Sequence, residues 1–265
     1  MFALTIQSQE KPWLYSSLLI ALLVGVPLIS VVYLAFFPEE NAWIHLVDTV
    51  LLSYIKNTLI LMTGVVTLTL LIGTGAAWLV SMYDFPCKKW LSWSLLLPFS
   101  VPAYVVAYVY TDLLDYAGPV QTGLRLAFSW SSSKDYWFPE IRSMGGAILM
   151  MSLALYPYVY MLARTAFLEQ SIALYRITRS LGTSPRGFFF RVSLPIARPA
   201  IAVGLSLVLM ETLNDFGTVD FFAIRTLTAG LYDTWLNMGN LGGAAQIASV
   251  MVLVVVCLVT LERYS

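Results

Sequence analysis

Three acidic side chains near the end of one apolar stretch carry the sharpest chemistry in this sequence: Glu211, Asp215 and Asp220. Glu211 and Asp215 are four residues apart, the spacing that puts two side chains on one face of a helix. Carboxylate oxygens are hard donors suited to hard cations, Fe3+ among them. An ionisable group deep in an apolar span is costly and ordinarily faces a cavity or a partner. These residues are therefore the candidate lining of a cation pathway. The plainer alternative gives Glu211 a structural hydrogen bond to a neighbouring helix and leaves Asp215 at the lipid–water boundary. Asp112 and Asp115, near the outer end of another apolar stretch, are expected to be solvated or to meet a partner.

A second set is basic. Arg164, Arg176, Arg179, Arg186, Arg191 and Arg198 fall within residues 164–198, opposed only by Glu169. The same segment holds Gly182, Pro185, Pro195 and Pro199, which punctuate a folded connection rather than a tail. Gly182 permits a tight turn. Ser184 and Pro185 fit the cap and first position of a helix, and Phe188, Phe189 and Phe190 offer an apolar anchor. A basic connection beside membrane spans belongs on the cytoplasmic side, where a partner can touch it. The competing reading is that the arginines only fix orientation and meet lipid head groups.

The elements that must position these residues follow from composition. The chain has 265 residues, is 59% hydrophobic and 11% charged, and has a mean hydropathy of +0.78. Soluble domains average about 25% charged residues, so this is an integral membrane protein, and apolar runs of helix-spanning length make it all-α. A span needs roughly 20 apolar residues, and six stretches qualify, at 14–36, 57–82, 91–114, 144–163, 197–217 and 242–261. The first lacks a small-residue cleavage site, Phe36, Phe37 and Pro38 standing there instead, and reads as a retained anchor. Residues 1–52 are expected to form this anchor and an outer loop, and 53–262 the core domain.

With the N-terminus inside, Lys11, Lys88, Lys89, the six arginines of 164–198 and Arg263 fall on the cytoplasmic side. Lys56, Arg125, Lys134, Arg142 and Arg225 fall outside, as do most acids, Glu39, Glu40, Asp48, Asp135, Glu140 and Asp233 included. Both termini are then cytoplasmic. Residues 116–143 read as a long outer loop with Trp130, Tyr136 and Trp137, and 218–241 as re-entrant or interfacial. Thr69, Gly73 and Ala77 make a small-residue stripe suited to close helix packing.

Enzyme chemistry is not indicated. No G-x-x-x-x-G-K-[ST] phosphate loop occurs, so ATP is not bound by that route. No cluster has metal-ligand spacing, His45 is the sole histidine, and Cys87 and Cys257 form no disulfide framework. No cofactor is expected.

Gly182, nine residues, then Val192-Ser193-Leu194-Pro195 resembles the G-x9-I-x-L-P portion of the loop motif in binding-protein-dependent ABC importer permeases. Where that motif opens with Glu-Ala-Ala, this chain has Arg176-Ile177-Thr178. Asn57-Thr58-Leu59, Tyr83-Asp84-Phe85-Pro86, Leu97-Pro98 and Val101-Pro102-Ala103-Tyr104 are similar to the family's core domain, and residues 210–219, METLNDFGTV, resemble its ferric-iron subgroup. The resemblance implies a six-helix transmembrane domain of the small, type I kind. It also implies a coupling loop, carried here by Arg176, Arg179, Gly182, Ser184, Pro185, Arg186, Phe189, Leu194 and Pro195, that docks on a cytoplasmic ATP-binding subunit pair. A periplasmic substrate-binding protein and a second permease half, fused, homologous or identical, complete the implied set of partners, with no nucleic acid. In the ferric subgroup two halves are often one chain about twice this length, so this chain reads as one half of a fused permease, a truncated product, or a chain that dimerises. Ferric iron is the implied cargo and thiamine, polyamine or sulfate the rivals. A channel or carrier without an ATPase is the reading from another class, and the paired broken helices and internal repeat of a carrier are not evident.

Overall fold

The computed structural model describes residues 10–38 and 43–264, the side chains of 10–12, 172, 258–259 and 261–264 excepted. Glu39, Glu40 and the side chains of Lys11 and Arg263, all used above for orientation, lie outside the described set. Among the described residues every regular element is helical. In order these are α1 (Glu10–Phe36), α2 (Trp43–Leu46), α3 (Leu52–Met82), α4 (Lys88–Ser94), α5 (Ala103–Leu114), α6 (Pro119–Phe128) and α7 (Met144–Leu168). Then follow α8 (Ile172–Ser180), α9 (Pro185–Phe188), α10 (Leu194–Asn214), α11 (Gly217–Phe221), α12 (Leu227–Tyr232) and α13 (Leu241–Tyr264).

Four helical stretches are long and apolar enough to cross a membrane, Trp13–Phe36, Trp43–Met82, Met144–Leu168 and Pro185–Asn214. A π turn at Phe189–Ser193 joins α9 to α10, so Pro185–Asn214 runs as one helix of 30 residues. The sixth expected stretch lies in α13, apolar over Leu241–Cys257. The third expected span, 91–114, is not one helix. After α4 the chain tightens into a 3-10 turn at Leu97–Ser100, extends at Val101, and restarts at Ala103, with a bend of 101°. Pro98 and Pro102 are the cause: neither has an N–H to give to the ladder, and Val101, before Pro102, is held extended at φ −119°, ψ 123°. Pro157, by contrast, sits inside an unbroken α7.

The chain divides into two compact units. The first takes the described residues up to Leu51 together with Gly230–Leu253. Inside it Gly242 packs on Pro38, where a Cβ would stand 2.6 Å from Pro38 Cβ. The Gln246 side-chain amide also donates to Ala35 O at 3.3 Å. Nearly all of α1 is exposed apolar surface, which only lipid or protein can cover.

The second unit, Leu52–Ala229 with Val254–Ser265, holds the core and both candidate sites. Its centre is α3 and α7 running side by side, with α10 against both. The small-residue stripe on α3 makes this possible. A Cβ on Gly73 would fall 2.8 Å from Val159 Cβ, and one on Gly204 of α10 would fall 3.0 Å from Val159 Cα. Two helices thus close on one valine of α7. Thr69 and Ala77 are fully buried in the same seam. The stripe serves packing within this chain.

Candidate functional site

The broken third span opens a cavity of about 330 Å3, lined among others by Pro98, Phe99, Ser100, Tyr104, Tyr158, Glu211 and Asp215. Glu211 is exposed near the end of α10, and its Oε1 accepts a hydrogen bond from the Tyr158 hydroxyl of α7 at 3.2 Å. Tyr158 is held in turn by an edge contact with Phe99, ring centroids 4.4 Å apart. No lysine or arginine lines the cavity.

Asp215 reaches the cavity differently from the sequence expectation. The helix ends at Asn214, and Asp215 is extended at ψ 113°, so the four-residue spacing is not a pair on one continuous helix. Its carboxylate accepts from Thr218 N at 2.7 Å and from Thr218 Oγ1 at 3.1 Å, capping α11. Gly217 lets α11 close on the bend, since a Cβ there would be 2.9 Å from Tyr104 Cβ. Asp220 sits exposed in α11 and does not line the cavity. The structure therefore brings together Glu211, Asp215 and Tyr158, leaves Asp220 apart, and adds a tyrosine that sequence reading passed over. The signal for Tyr158 was a polar tip directly after a proline in an apolar span. Among the described residues no group of three or more His, Cys, Asp or Glu is placed to hold a metal.

The basic segment is a helix–turn–helix. Ser171 caps α8 through Leu174 N at 3.2 Å, and Ser184 caps α9 through Gly187 N at 3.0 Å, with Pro185 at the first position. Between them Gly182 takes φ +81°, a conformation open to glycine. Arg179 Nη1 closes the turn by donating to Thr183 O at 2.8 Å. Arg176, Arg179, Arg186, Arg191 and Arg198 are exposed. Among the described residues the one salt bridge is Lys88–Asp84 at 2.9 Å, so these arginines form no ion pair with another described residue. Ile177, Leu181 and Phe190 stand exposed among them.

The three phenylalanines do not act as one anchor. Phe188 is buried, and Phe189 turns inward onto Trp78 of α3, ring centroids 4.7 Å apart. Of the three, Phe190 alone is available to a partner, since Phe188 and Phe189 pack inward. Leu194 and Pro195 open α10, half-buried, with Leu194 packed on the core.

Residues 116–143 are more ordered than a long loop. Pro119 starts α6, and Arg125 lies 4.1 Å from the Tyr116 ring centre and donates to Tyr136 Oη at 2.9 Å. Phe128, Trp130 and Tyr136 stack in sequence. Asp135 accepts from the backbone N–H of Ser131 and Ser132, both at 2.8 Å, and these bonds hold its pKa below the ordinary carboxylate value. A recess of about 350 Å3 beside this region is lined by Asp115, Tyr116, Tyr136, Trp137, Glu140 and Arg142, among others.

A helical membrane protein with a bent span, an acidic cavity at the bend and a capped basic helix–turn–helix has the features of a permease. The family model described as "Binding-protein-dependent transport system inner membrane component" matches residues 69–264. The chain belongs to that family of inner-membrane components; such a component is not itself an enzyme. It is 24% identical over 255 residues to an Fe(3+)-transport system permease protein, FbpB 2, of Haemophilus influenzae, covering 94% of this chain and 46% of that protein. The chain therefore spans about half the length of that relative. It is 27% identical over 188 residues to the molybdenum transport system permease protein ModB of Escherichia coli K12, covering 66% of this chain and 76% of that protein. Among solved structures, the fold is similar to a chain of a bacterial alginate ABC transporter in complex with an alginate pentasaccharide-bound periplasmic protein, with a TM-score of 0.76 at 16% identity, covering 98% of this chain and 96% of that one. That likeness establishes the type I permease fold.

Proposed function

We propose that this chain is the permease subunit of an ATP-driven ABC importer that moves ferric iron inward by alternating access. A periplasmic binding protein delivers the ion to the outer face. A cytoplasmic pair of ATP-binding subunits, docked on the segment carrying Arg176, Arg179, Gly182, Ser184, Pro185 and Arg186, closes on ATP and moves the helices. Both termini lie in the cytoplasm. A second permease half supplies the other wall of the pathway, because the helices of one chain enclose only part of it.

The observation that carries the choice of cargo is the charge of the cavity. Glu211 and Asp215 line it without any lysine or arginine. An oxyanion held about 5 Å from one carboxylate is opposed by roughly 3 kcal/mol at an effective dielectric constant near 20, and a cation is favoured to a similar extent. That is on the order of a hundredfold in occupancy. Two carboxylates are too few for a resident metal site, which suits a station an ion must leave. Asp220, exposed on α11, belongs to the approach rather than the cavity.

The likeness to ModB supports an oxyanion permease as the second reading. Uptake by reconstituted vesicles containing the permease, its ATP-binding subunits and the binding protein decides between them. ATP-dependent accumulation of labelled Fe3+ but not molybdate supports the iron reading; the reverse rejects it. If no ATP-binding subunit co-purifies with the intact protein, and Gly182→Asp leaves transport unchanged, the importer reading itself fails.

A further inference from the structure

An aromatic cluster in the second unit ties the basic helix–turn–helix to the membrane core. Trp78, half-buried on α3, meets Phe167 of α7 edge-on at 5.4 Å, Phe188 of α9 at 6.1 Å and Phe189 of the π turn at 4.7 Å, all between ring centres. Tyr175 of α8 joins from the other side, 5.1 Å from Phe188. Phe167 and Phe188 are each about 1% exposed. Five rings from five successive or distant elements thus form one contact, and Trp78 is the member contributed by α3.

A second tie closes the neck of the segment. Gln170 Nε2 donates to Ser193 O at 3.0 Å, and Ser193 Oγ donates back to Gln170 Oε1 at 2.5 Å. Ser193 is fully buried, so this reciprocal pair is shielded from competing water. Residues 171–192 are therefore held at both ends of the loop they form, with the neck bonded and the body packed on Trp78. Neither tie is needed to expose Arg176, Ile177 and Arg179 on α8 or Leu181 just after it. Dispersion and edge-to-face contacts between rings are short-ranged and stiff in compression. A push on α8 or α9 therefore reaches α3 directly through Trp78, as well as along α10.

We propose that Trp78 is a positioning residue for energy coupling, transmitting the displacement of the helix–turn–helix to α3, and that the Gln170–Ser193 pair keeps that segment from hinging at its neck. The inference rests on the reading that this segment docks on an ATP-binding subunit. It assigns to two internal contacts a task distinct from docking.

The test uses the assembled transporter with its ATP-binding subunits and binding protein, reading three quantities: ATPase co-purified per permease, ATP hydrolysed, and substrate moved per ATP. Trp78→Ala is expected to leave co-purification and hydrolysis in place and to lower substrate moved per ATP about tenfold, the scale set by losing several ring contacts. Trp78→Phe is expected to restore most of that ratio, which a merely volumetric role would not require. Gln170→Met is expected to lower the ratio a few-fold on its own. Should the alanine variant fail to accumulate, Trp78→Leu retains apolar bulk without a ring and is expected to give the same uncoupling. An unchanged ratio in Trp78→Ala or Trp78→Leu overturns the proposal, as does loss of the ATP-binding subunits from either variant, which would make the cluster part of docking. If the unmodified protein itself brings down no ATP-binding subunit, the underlying importer reading fails instead.

Discussion

The two ends of the Pro185–Asn214 helix are built to opposite standards. At the end carrying Arg186 and Arg191, rings interlock around Trp78, Gln170 and Ser193 bond reciprocally, Ser184 caps the helix start, and Arg179 closes the turn before it. At the other end Glu211 stands exposed on a cavity of about 330 Å3 with a single 3.2 Å bond from Tyr158. One end is closely packed and the other opens on a cavity. The comparison teaches that a transport helix need not be uniform. Under the proposed function, stiffness sits where force would enter, and loosely held polarity where a charged solute would be met and released.

The largest expected effect comes from loosening the stiff end. Phe188→Ala removes a buried ring and should cost about 3 kcal/mol of stability, read as a lowered melting temperature of the purified protein in detergent. If instead Phe188→Ala melts with the unmodified protein, the two ends do not differ as described. The converse substitution sharpens the contrast. Glu211→Gln keeps an acceptor for Tyr158 and should move stability by less than about 1 kcal/mol, while cutting cation uptake by up to about a hundredfold through loss of one carboxylate. A drop in melting temperature larger than that of Phe188→Ala would show Glu211 to be structural.

A smaller effect is expected at Gly182. Placing alanine at φ +81° costs on the order of 1 kcal/mol, and a Cβ there meets nothing within 4 Å. Gly182→Ala should therefore reduce coupling a few-fold without loss of protein, whereas a charged Gly182→Asp should do far more if this turn is pressed against a partner. The smallest effect concerns neither end. Asp135 has a folded pKa depressed by the N–H groups of Ser131 and Ser132. Its contribution to the 131–135 turn is complete above the ordinary carboxylate value of 3.8 and is lost as pH falls through the lowered one. Amide exchange of Ser131 and Ser132 should speed up only in that acid window, with the rest of residues 116–143 unaffected.

Much of this arrangement was legible in the residues. Apolar runs marked where the spans lie because lipid leaves little choice of side chain, although the helices at Trp43–Met82 and Pro185–Asn214 begin well before the expected 57 and 197. Thr69, Gly73 and Ala77 announced a close helix seam, and Ser184-Pro185 announced a helix start that the structure carries. What escaped was whatever hydropathy does not measure. Residues 97–104 are apolar enough to continue a span, so the bend at Pro98 and Pro102 is a backbone effect hidden under an unbroken signal. Phe188 and Phe189 looked outward from a basic segment because their partner, Trp78, lies more than a hundred residues earlier. Tyr158 was passed over because its role depends on Glu211 of another helix. Residues 116–143 were read as a loop because α6 is short and lies between turn residues, although Gly118-Pro119 held a start signal.

The unbroken helix from Pro185 to Asn214 fixes a phase as well as a length. Its 30 residues extend about 45 Å, and each residue advances the screw by roughly 100°. From Leu194 onward the azimuths follow by counting, and the wider π turn at Phe189–Ser193 adds a fixed offset between Arg186 and Glu211. Inserting or deleting one residue between Arg198 and Val208 would leave both chemistries intact yet aim them a quarter-turn or more apart. Substitutions in that interval can be absorbed one by one, whereas a single frame-preserving indel would desynchronise the two ends at once.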